Sequence, residues 1–306
     1  MERTRRFHIT PARREAMWAY GLISPWIIGF LAFTLIPMVA SFVLAFTEYN
    51  VIQPARWIGG DNYQGIVTDP LFWQSVKVTL TYAGLSLIPS LVLGLALAML
   101  LNAEIVGLSA WRTLYYLPSI ISGVPVAVLF GFVFNKRFGV LNWALDQFGI
   151  RGPGWLSTPQ WALPALAIMS LWGVGGGMIL YLAGLQGVPT TLYDAAKVDG
   201  ANGWHRFWHV TLPMISPVIF YNLVLGTIGT FQYFTGAYIL TDGGPNYATW
   251  FYNLYLYRNA FYYSKMGYAS ALAWVLFLFV LILTLVIFRS SAAWVYYEGQ
   301  LKGGRG

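Results

Sequence analysis

The chain has 306 residues, of which 58% are hydrophobic and only 9% charged, whereas soluble proteins average roughly 45–50% and about 25%. This composition excludes an ordinary soluble domain and indicates a membrane protein, because lipid permits helices that are apolar on every side. The formal net charge is +7, but the basic residues are scattered between apolar stretches, which argues against a nucleic-acid partner. The chain contains no cysteine, so disulfides, thiolate metal sites and cysteine nucleophiles are excluded.

Six apolar segments have about the 20 residues that a helix needs to cross a bilayer. In chain order they are 18–46, 75–101, 113–134, 160–183, 213–235 and 270–288. Pro25 and Pro37 in the first segment, and Pro118 and Pro125 in the third, predict kinks. We therefore expect an all-α membrane protein with six transmembrane helices.

The distribution of basic residues predicts the orientation of these helices. If both termini are cytoplasmic, eleven of the 18 Lys and Arg residues lie on the inner side. Five of them, between Arg3 and Arg14, directly precede the first segment. We expect a cytoplasmic N-terminal tail over 1–17, a six-helix transmembrane domain over 18–288, and a cytoplasmic C-terminal tail over 289–306.

One long polar stretch, "TTLYDAAKVDGANGWHRFWHVTLP" (190–213), lies between the fourth and fifth segments. Thr191 and Asp194 have the spacing of a capping box, which predicts a helix over about 192–199. Gly200 is suited to end that helix, since glycine adopts the left-handed conformation without a steric penalty.

A second short amphipathic helix, "WHRFWHV" (204–210), is expected to lead into Leu212 and Pro213, with the proline in the first turn of the next span. Ala195 and Ala196 leave the surface with little side-chain bulk, so that a partner can approach closely. The residues alone leave two interpretations open, a docking hairpin and an ordinary well-capped loop.

The stretch "DAAKVDGANGWHRFWHVTLPMISP" (194–217) resembles the EAA motif of permease subunits in binding-protein-dependent ABC importers. That motif has an acid, two alanines, a glycine after three more residues, and a Leu-Pro pair. The matching positions are Asp194, Ala195, Ala196, Asp199, Gly200, Ala201, Phe207, Leu212, Pro213 and Pro217. Asp194 departs from the usual Glu by one methylene, which shortens the reach of its carboxylate.

Further stretches are similar to the carbohydrate-uptake subfamily of these permeases. They are "YLPSIISGVPVAVLFGFVFN" (116–135), "GVLNWAL" (139–145), "LAGLQGVPTTLYDAAKVDGA" (182–201) and "LTDGGPNYATWFYNLYLYRNAF" (240–261). The resemblance extends over about 18–288. It implies an oligosaccharide or a similar sugar as the imported solute.

The resemblance also implies the partners of the chain. They would be a second homologous permease, two ABC ATPase subunits, and an extracytoplasmic sugar-binding protein that contacts loops such as 47–74 and 236–268. The hairpin 190–213 would dock against an ATPase. The transporter would lie in a bacterial or archaeal plasma membrane. ATP and magnesium would be bound by the ATPases, and we expect no cofactor and no metal on this chain.

Candidate substrate contacts come from the fourth and fifth segments. Asn222, Gly226, Thr230 and Tyr233 are predicted to form a helical stripe in the fifth segment. Trp172, Gly173 and Gly176 form a similar patch in the fourth segment. Small, amide and aromatic side chains suit a sugar, because its hydroxyls form hydrogen bonds and its ring faces stack. Ordinary helix packing is the alternative explanation.

Other motifs carry no chemistry of their own. Gly173 to Gly177 resembles a phosphate loop but lacks the following Lys-Ser/Thr, and His205 and His209 lack the glutamate of a zinc protease. A membrane-embedded enzyme would need an acid/base or metal cluster, which the sequence does not offer. An ion-coupled carrier or a channel remains the alternative, although no segment has a charged residue at its centre and only Lys77 lies near an end.

Overall fold

The computed structural model describes residues 10–103, 106–121 and 123–296. Its α-helices in chain order are α1 (Pro11–Phe30), α2 (Ile36–Leu44), α3 (Asp61–Thr68), α4 (Pro70–Leu100), α5 (Leu108–Ile120), α6 (Val124–Val133), α7 (Val140–Gln147), α8 (Pro159–Ser170), α9 (Val174–Gln186), α10 (Thr190–Val198), α11 (Gly203–Arg206), α12 (Leu212–Met214), α13 (Ser216–Phe231), α14 (Thr235–Leu240), α15 (Tyr252–Tyr257) and α16 (Met266–Trp294). Short π or 3₁₀ turns lie at Leu31–Leu35, Leu171–Gly173, Phe207–Thr211 and Arg258–Tyr262. The only strands among the described residues are β1 (Thr47–Glu48) and β2 (Arg56–Trp57), which pair antiparallel. The prediction of an all-α membrane protein is confirmed.

Five helices, some with internal π or 3₁₀ turns, are long and apolar enough to cross a membrane. They are Pro11–Leu44, Pro70–Leu100, Pro159–Gln186, Ser216–Leu240 and Met266–Trp294. The first begins inside the predicted tail 1–17, of which residues 1–9 lie outside the described ranges. The last ends at Trp294 inside the predicted tail 289–306, of which 297–306 lie outside them.

The predicted third span, 113–134, is not one continuous helix. It is divided into α5 and α6, which are bent by 102° relative to each other. In a continuous helix the N–H of residue 125 would donate to the carbonyl of Ile121, but Pro125 has no N–H. Ile121 is extended, with ψ 109°, and Gly123 has φ 76°. The sequence predicted a kink here, and the chain makes a full break.

The contacts divide the chain into two units, Met1–Gly65 with Asn259–Trp274, and Ile66–Arg258 with Val275–Gly306. In the first unit, Nδ2 of Asn62 donates to the carbonyls of Ala45 at 2.9 Å and Thr47 at 3.0 Å. This buried amide fixes the start of the β-hairpin.

The core of the second unit forms where α4, α9 and α13 pack together. Its buried cluster consists of Ala98, Leu101, Met178, Tyr181, Leu182, Leu185, Val188 and Ile215. Small residues allow the close approach: a Cβ on Gly94 would lie 3.3 Å from the Tyr181 ring, and one on Gly184 would lie 2.7 Å from Val218. Without aqueous driving force inside lipid, such close packing is the main source of helix association.

Two adjacent glycines of α9 provide a matched test of this packing. A Cβ on Gly175 would lie 2.0 Å from the backbone oxygen of Tyr115, whereas the nearest atom to a Cβ on Gly176 is 3.8 Å away. We expect Gly175→Ala to lower the unfolding temperature of the purified protein, because overpacking costs roughly 1–3 kcal/mol. Gly176→Ala should leave it unchanged or raise it, since alanine favours helices. Equal unfolding temperatures would contradict the α5–α9 contact.

Candidate functional site

The first arm of the hairpin 190–213 is α10, which begins at Thr190, two residues earlier than the capping box predicts. Pro189 is the N-cap residue and no side chain caps the helix, so the assignment of Thr191 as N-cap was wrong. Proline has a fixed φ that suits a helix start, and this places the first turn at Thr190. Asp194 instead pairs with Nζ of Lys197 at 2.9 Å on the exposed surface.

Gly200 ends this arm as predicted, with φ 78°. The N–H of Ala201 donates to the carbonyl of Ala196 at 2.8 Å, and that of Gly200 to Lys197 at 3.0 Å. These two bonds define a Schellman motif, which closes the helix through one left-handed residue.

The second arm begins with a cap that the sequence analysis missed. Oδ1 of Asn202 accepts a hydrogen bond from the His205 N–H at 2.9 Å, and asparagine is a favoured N-cap residue. The arm continues through the π turn Phe207–Thr211 into α12. Pro213 lies in α12, not in the first turn of the span, which starts at Ser216. The wider π turn precedes the proline, whose missing N–H interrupts the regular helical pattern.

Tyr193 joins the two arms to each other and to the helical core. Its hydroxyl lies 3.1 Å from Oγ1 of Thr211. Its ring, together with Val210 and Met214, packs against the buried cluster that contains Tyr181. The hairpin is therefore attached to the membrane helices by a packed aromatic side chain and a hydrogen bond.

The opposite side of the hairpin is exposed and largely apolar. Val198 is 88% exposed and Trp204 is 67% exposed, and Leu192, Ala195 and Trp208 are also exposed. Large exposed apolar groups next to charged ones are typical of protein interaction sites. Of the predicted coupling residues, Asp194, Asp199 and Gly200 are exposed, whereas Ala196, Ala201, Leu212 and Pro213 are partly buried.

A cavity of about 350 Å³ opens between α5, α6, α8 and the end of α13. Its lining includes Trp172, Gly173 and Tyr233 from the predicted substrate residues. The Trp172 ring packs edge-on against Phe130 at 5.6 Å. The Tyr233 ring packs against Tyr82 at 4.5 Å. Both aromatic side chains are thus held in place by other rings beside the cavity.

Tyr233 does not belong to the helical stripe predicted for it. α13 ends at Phe231, and Tyr233 lies in the break before α14. A Cβ on Gly236 would lie 2.0 Å from the Tyr233 hydroxyl, so only glycine fits beside this phenol. The hydroxyl is buried and meets hydrogen-bond geometry with none of the described residues.

A smaller cavity of about 210 Å³ lies between α4, α9 and α13. Asn222 and Gly226 line it, and Gly173 and Ser170 line both cavities. Gly176 lies outside both linings and faces Ser119, and Thr230 also lies outside both, with its hydroxyl donating to Thr227 at 3.0 Å.

Several polar lining residues of the larger cavity were not predicted from the sequence. They are Ser119, Ser170, Gln232 and Thr235. Each lies near a helix end, and no periodicity within a single segment marks it. Of these four residues, only Gln232 could have been found from the sequence, because a side-chain amide inside an apolar span needs a partner or a cavity.

The family of the chain follows from comparison with known proteins. The model of the family "Binding-protein-dependent transport system inner membrane component" matches residues 85–294. The chain belongs to this family. It is a multi-pass membrane component of a transport system, and the predicted class of transporter is confirmed.

Similar proteins cover nearly the whole chain. The probable ABC transporter permease protein YesP of Bacillus subtilis is 45% identical over 94% of each chain. The trehalose/maltose transport system permease protein MalF of Thermococcus litoralis is 32% identical over 90% of this chain and 94% of its own. A solved bacterial ABC transporter for import of the acidic polysaccharide alginate has a TM-score of 0.82 at 29% identity, covering 92% of this chain and 96% of its own.

We expect Gly200→Val in this permease to loosen the hairpin. A β-branched residue is a steric outlier at positive φ, and the strain of roughly 1–2 kcal/mol should speed hydrogen exchange of the amides in 195–206 about tenfold. Gly203→Ala is the control, because Gly203 has an ordinary φ and open space around it. Unchanged exchange in Gly200→Val would contradict the left-handed turn.

Proposed function

We propose that this chain is a permease subunit of an ATP-driven ABC importer for a sugar, and that the sugar is an oligosaccharide. The observation that carries the proposal is the pairing of an exposed hairpin, anchored to the helical core by Tyr193, with cavities lined by aromatic and polar groups. Sugars are bound by this combination of ring faces and hydrogen-bonding groups. Relatives named for maltose, lactose and arabinooligosaccharide transport support it.

The partners follow from the same proposal. A second homologous permease would complete the transport pathway, and two ABC ATPases would bind ATP and magnesium, with this chain holding neither. An extracytoplasmic binding protein would deliver the sugar. A solved relative in complex with its alginate-pentasaccharide-bound periplasmic protein supports this last partner. The cell compartment would be a bacterial or archaeal plasma membrane with both termini cytoplasmic.

The hairpin would act as a rigid lever. Closure of the ATPases on ATP would displace the exposed face around Val198. Tyr193 would transmit that displacement to the cluster shared by α4, α9 and α13, since it packs against this cluster. The energy comes from the different affinities of the ATPases for ATP in the two states of the transporter.

The proposal is tested by purifying the chain with the polypeptides that accompany it and measuring ATP hydrolysis. We expect a second permease and an ATPase in stoichiometric amounts, and hydrolysis stimulated by sugar-loaded binding protein. Transport driven by an ion gradient without nucleotide would instead establish the carrier alternative.

The absence of cysteine from the chain allows single-cysteine variants to test the orientation and the docking site. We expect Val198→Cys to cross-link to the ATPase and to resist a membrane-impermeant maleimide in spheroplasts. Phe148 is 81% exposed and lies between α7 and α8. The Phe148→Cys variant should react with the maleimide and form no cross-link to the ATPase. The reverse pattern would mean that residue 198 lies on the outer side of the membrane and residue 148 on the cytoplasmic side.

The larger cavity is tested by narrowing it. Gly229 lines the cavity and has open space around its Cα, so Gly229→Leu should raise the sugar concentration that gives half-maximal uptake. Gly84→Leu is the control, because Gly84 also has open space but lies in α4 away from either cavity. Identical concentration dependence in both variants would remove the larger cavity from the pathway.

A further inference from the structure

A second kind of cavity lies on the outside of the helices. It is a groove of about 220 Å³, and the surface that lines it is apolar. Its lining residues are Phe72, Trp73, Val76, Thr79, Leu80, Phe231, Tyr252, Val275, Leu276 and Phe279. Trp73, Leu80 and Phe279 form an exposed rim, whereas Phe72 and Phe231 are buried in its floor.

Thr79 of α4 contributes a hydroxyl to the floor of the groove, and this hydroxyl already has two hydrogen-bond partners. Oγ1 of Thr79 donates to the carbonyl of Ser75 at 2.8 Å and accepts from the N–H of Tyr252 at 3.0 Å. The groove therefore offers nothing to a sugar and suits a hydrocarbon chain.

Lys77 lies directly beside this groove. It is the only charged residue of α4 and it follows Trp73 by four positions and precedes Leu80 by three, which places it on the same helix face as the rim. Its side chain is exposed, and it forms no ion pair with the described residues.

The position of Lys77 along α4 places its ammonium near a membrane surface. A helix of 31 residues is about 46 Å long, so about 8 Å extends beyond each side of a hydrocarbon core about 30 Å thick. Lys77 lies about 10 Å from the helix start. A lysine at this depth reaches the headgroup level with its flexible side chain, while the groove continues into the hydrocarbon.

We propose that this face binds one anionic phospholipid, with its phosphate on Lys77 and an acyl chain in the groove. A charge near the membrane surface, beside an apolar cleft whose α4 lining runs from Phe72 to Leu80, matches the two chemical parts of such a lipid. A transmembrane helix of another subunit would fill the groove but would leave the ammonium buried without a counter-ion. A soluble phosphate ion would use Lys77 but not the groove.

The test is native mass spectrometry of the assembled transporter taken from bilayers of phosphatidylglycerol and phosphatidylethanolamine. We expect Lys77→Gln to reduce retained phosphatidylglycerol about fivefold, the factor for one basic residue at a lipid surface. The Lys77→Arg variant should retain as much phosphatidylglycerol as the wild type. Lys265→Gln is the matched control, since this exposed lysine lies outside the spans and does not line the groove.

Two further variants separate the alternatives. Leu80→Trp at the rim should displace the acyl chain and lower lipid retention, whereas it would leave binding of a soluble phosphate ion unchanged. Leu80→Cys should form no cross-link to another subunit. Equal lipid retention in all variants, or an efficient cross-link from residue 80 to a partner permease, would overturn the proposal.

Discussion

The close contact between α4 and α9 is the interaction on which the rest of the second unit depends. The Tyr181 ring lies over Gly94, where a side chain would approach it to 3.3 Å. This approach brings Ala98 and Leu101 of the α4 end into one cluster with Leu185 and Val188. In lipid the hydrophobic effect does not hold helices together, so shape complementarity must do so. Because the hairpin packs on the same cluster through Tyr193, the contact that holds the helices together also receives any force applied to the hairpin.

The hairpin shows how much local sequence specifies. Gly200 and its turn could be predicted because only a few residues tolerate a left-handed conformation. The start of α10 could not, since Thr191 is a good cap by composition and Pro189 is a good start by backbone geometry, and the two signals compete two residues apart. Asn202 carried a usable signal, because an amide directly before "GWHR" is a typical N-cap.

The apolar segments were predictable in position but not in continuity. Lipid selects apolar residues throughout a span, so composition identifies a crossing segment without showing whether its backbone is continuous. Residues 113–134 are apolar on both sides of the break at Gly123, and Pro125 indicates only a kink. The cavity was less predictable still. Ser119 and Gln232 come from segments far apart in sequence, and only the packing of α5 and α13 against α9 brings them to one cavity.

The unpartnered Tyr233 phenol distinguishes the cavity from the lipid-facing surface. On exposed helix faces the hydroxyls bond to their own helix, as Thr81 does to Lys77 at 2.8 Å. Such internal satisfaction is required where no water is present. Beside the cavity, the buried Tyr233 hydroxyl has no such bond among the described residues, and the exposed Gln232 side chain also belongs to the lining. In the proposed importer, a sugar hydroxyl would therefore find a hydrogen-bond partner in the Tyr233 phenol beside the cavity. On the lipid face, Lys77 is the corresponding exception, and the group that can satisfy it there is the headgroup of a lipid.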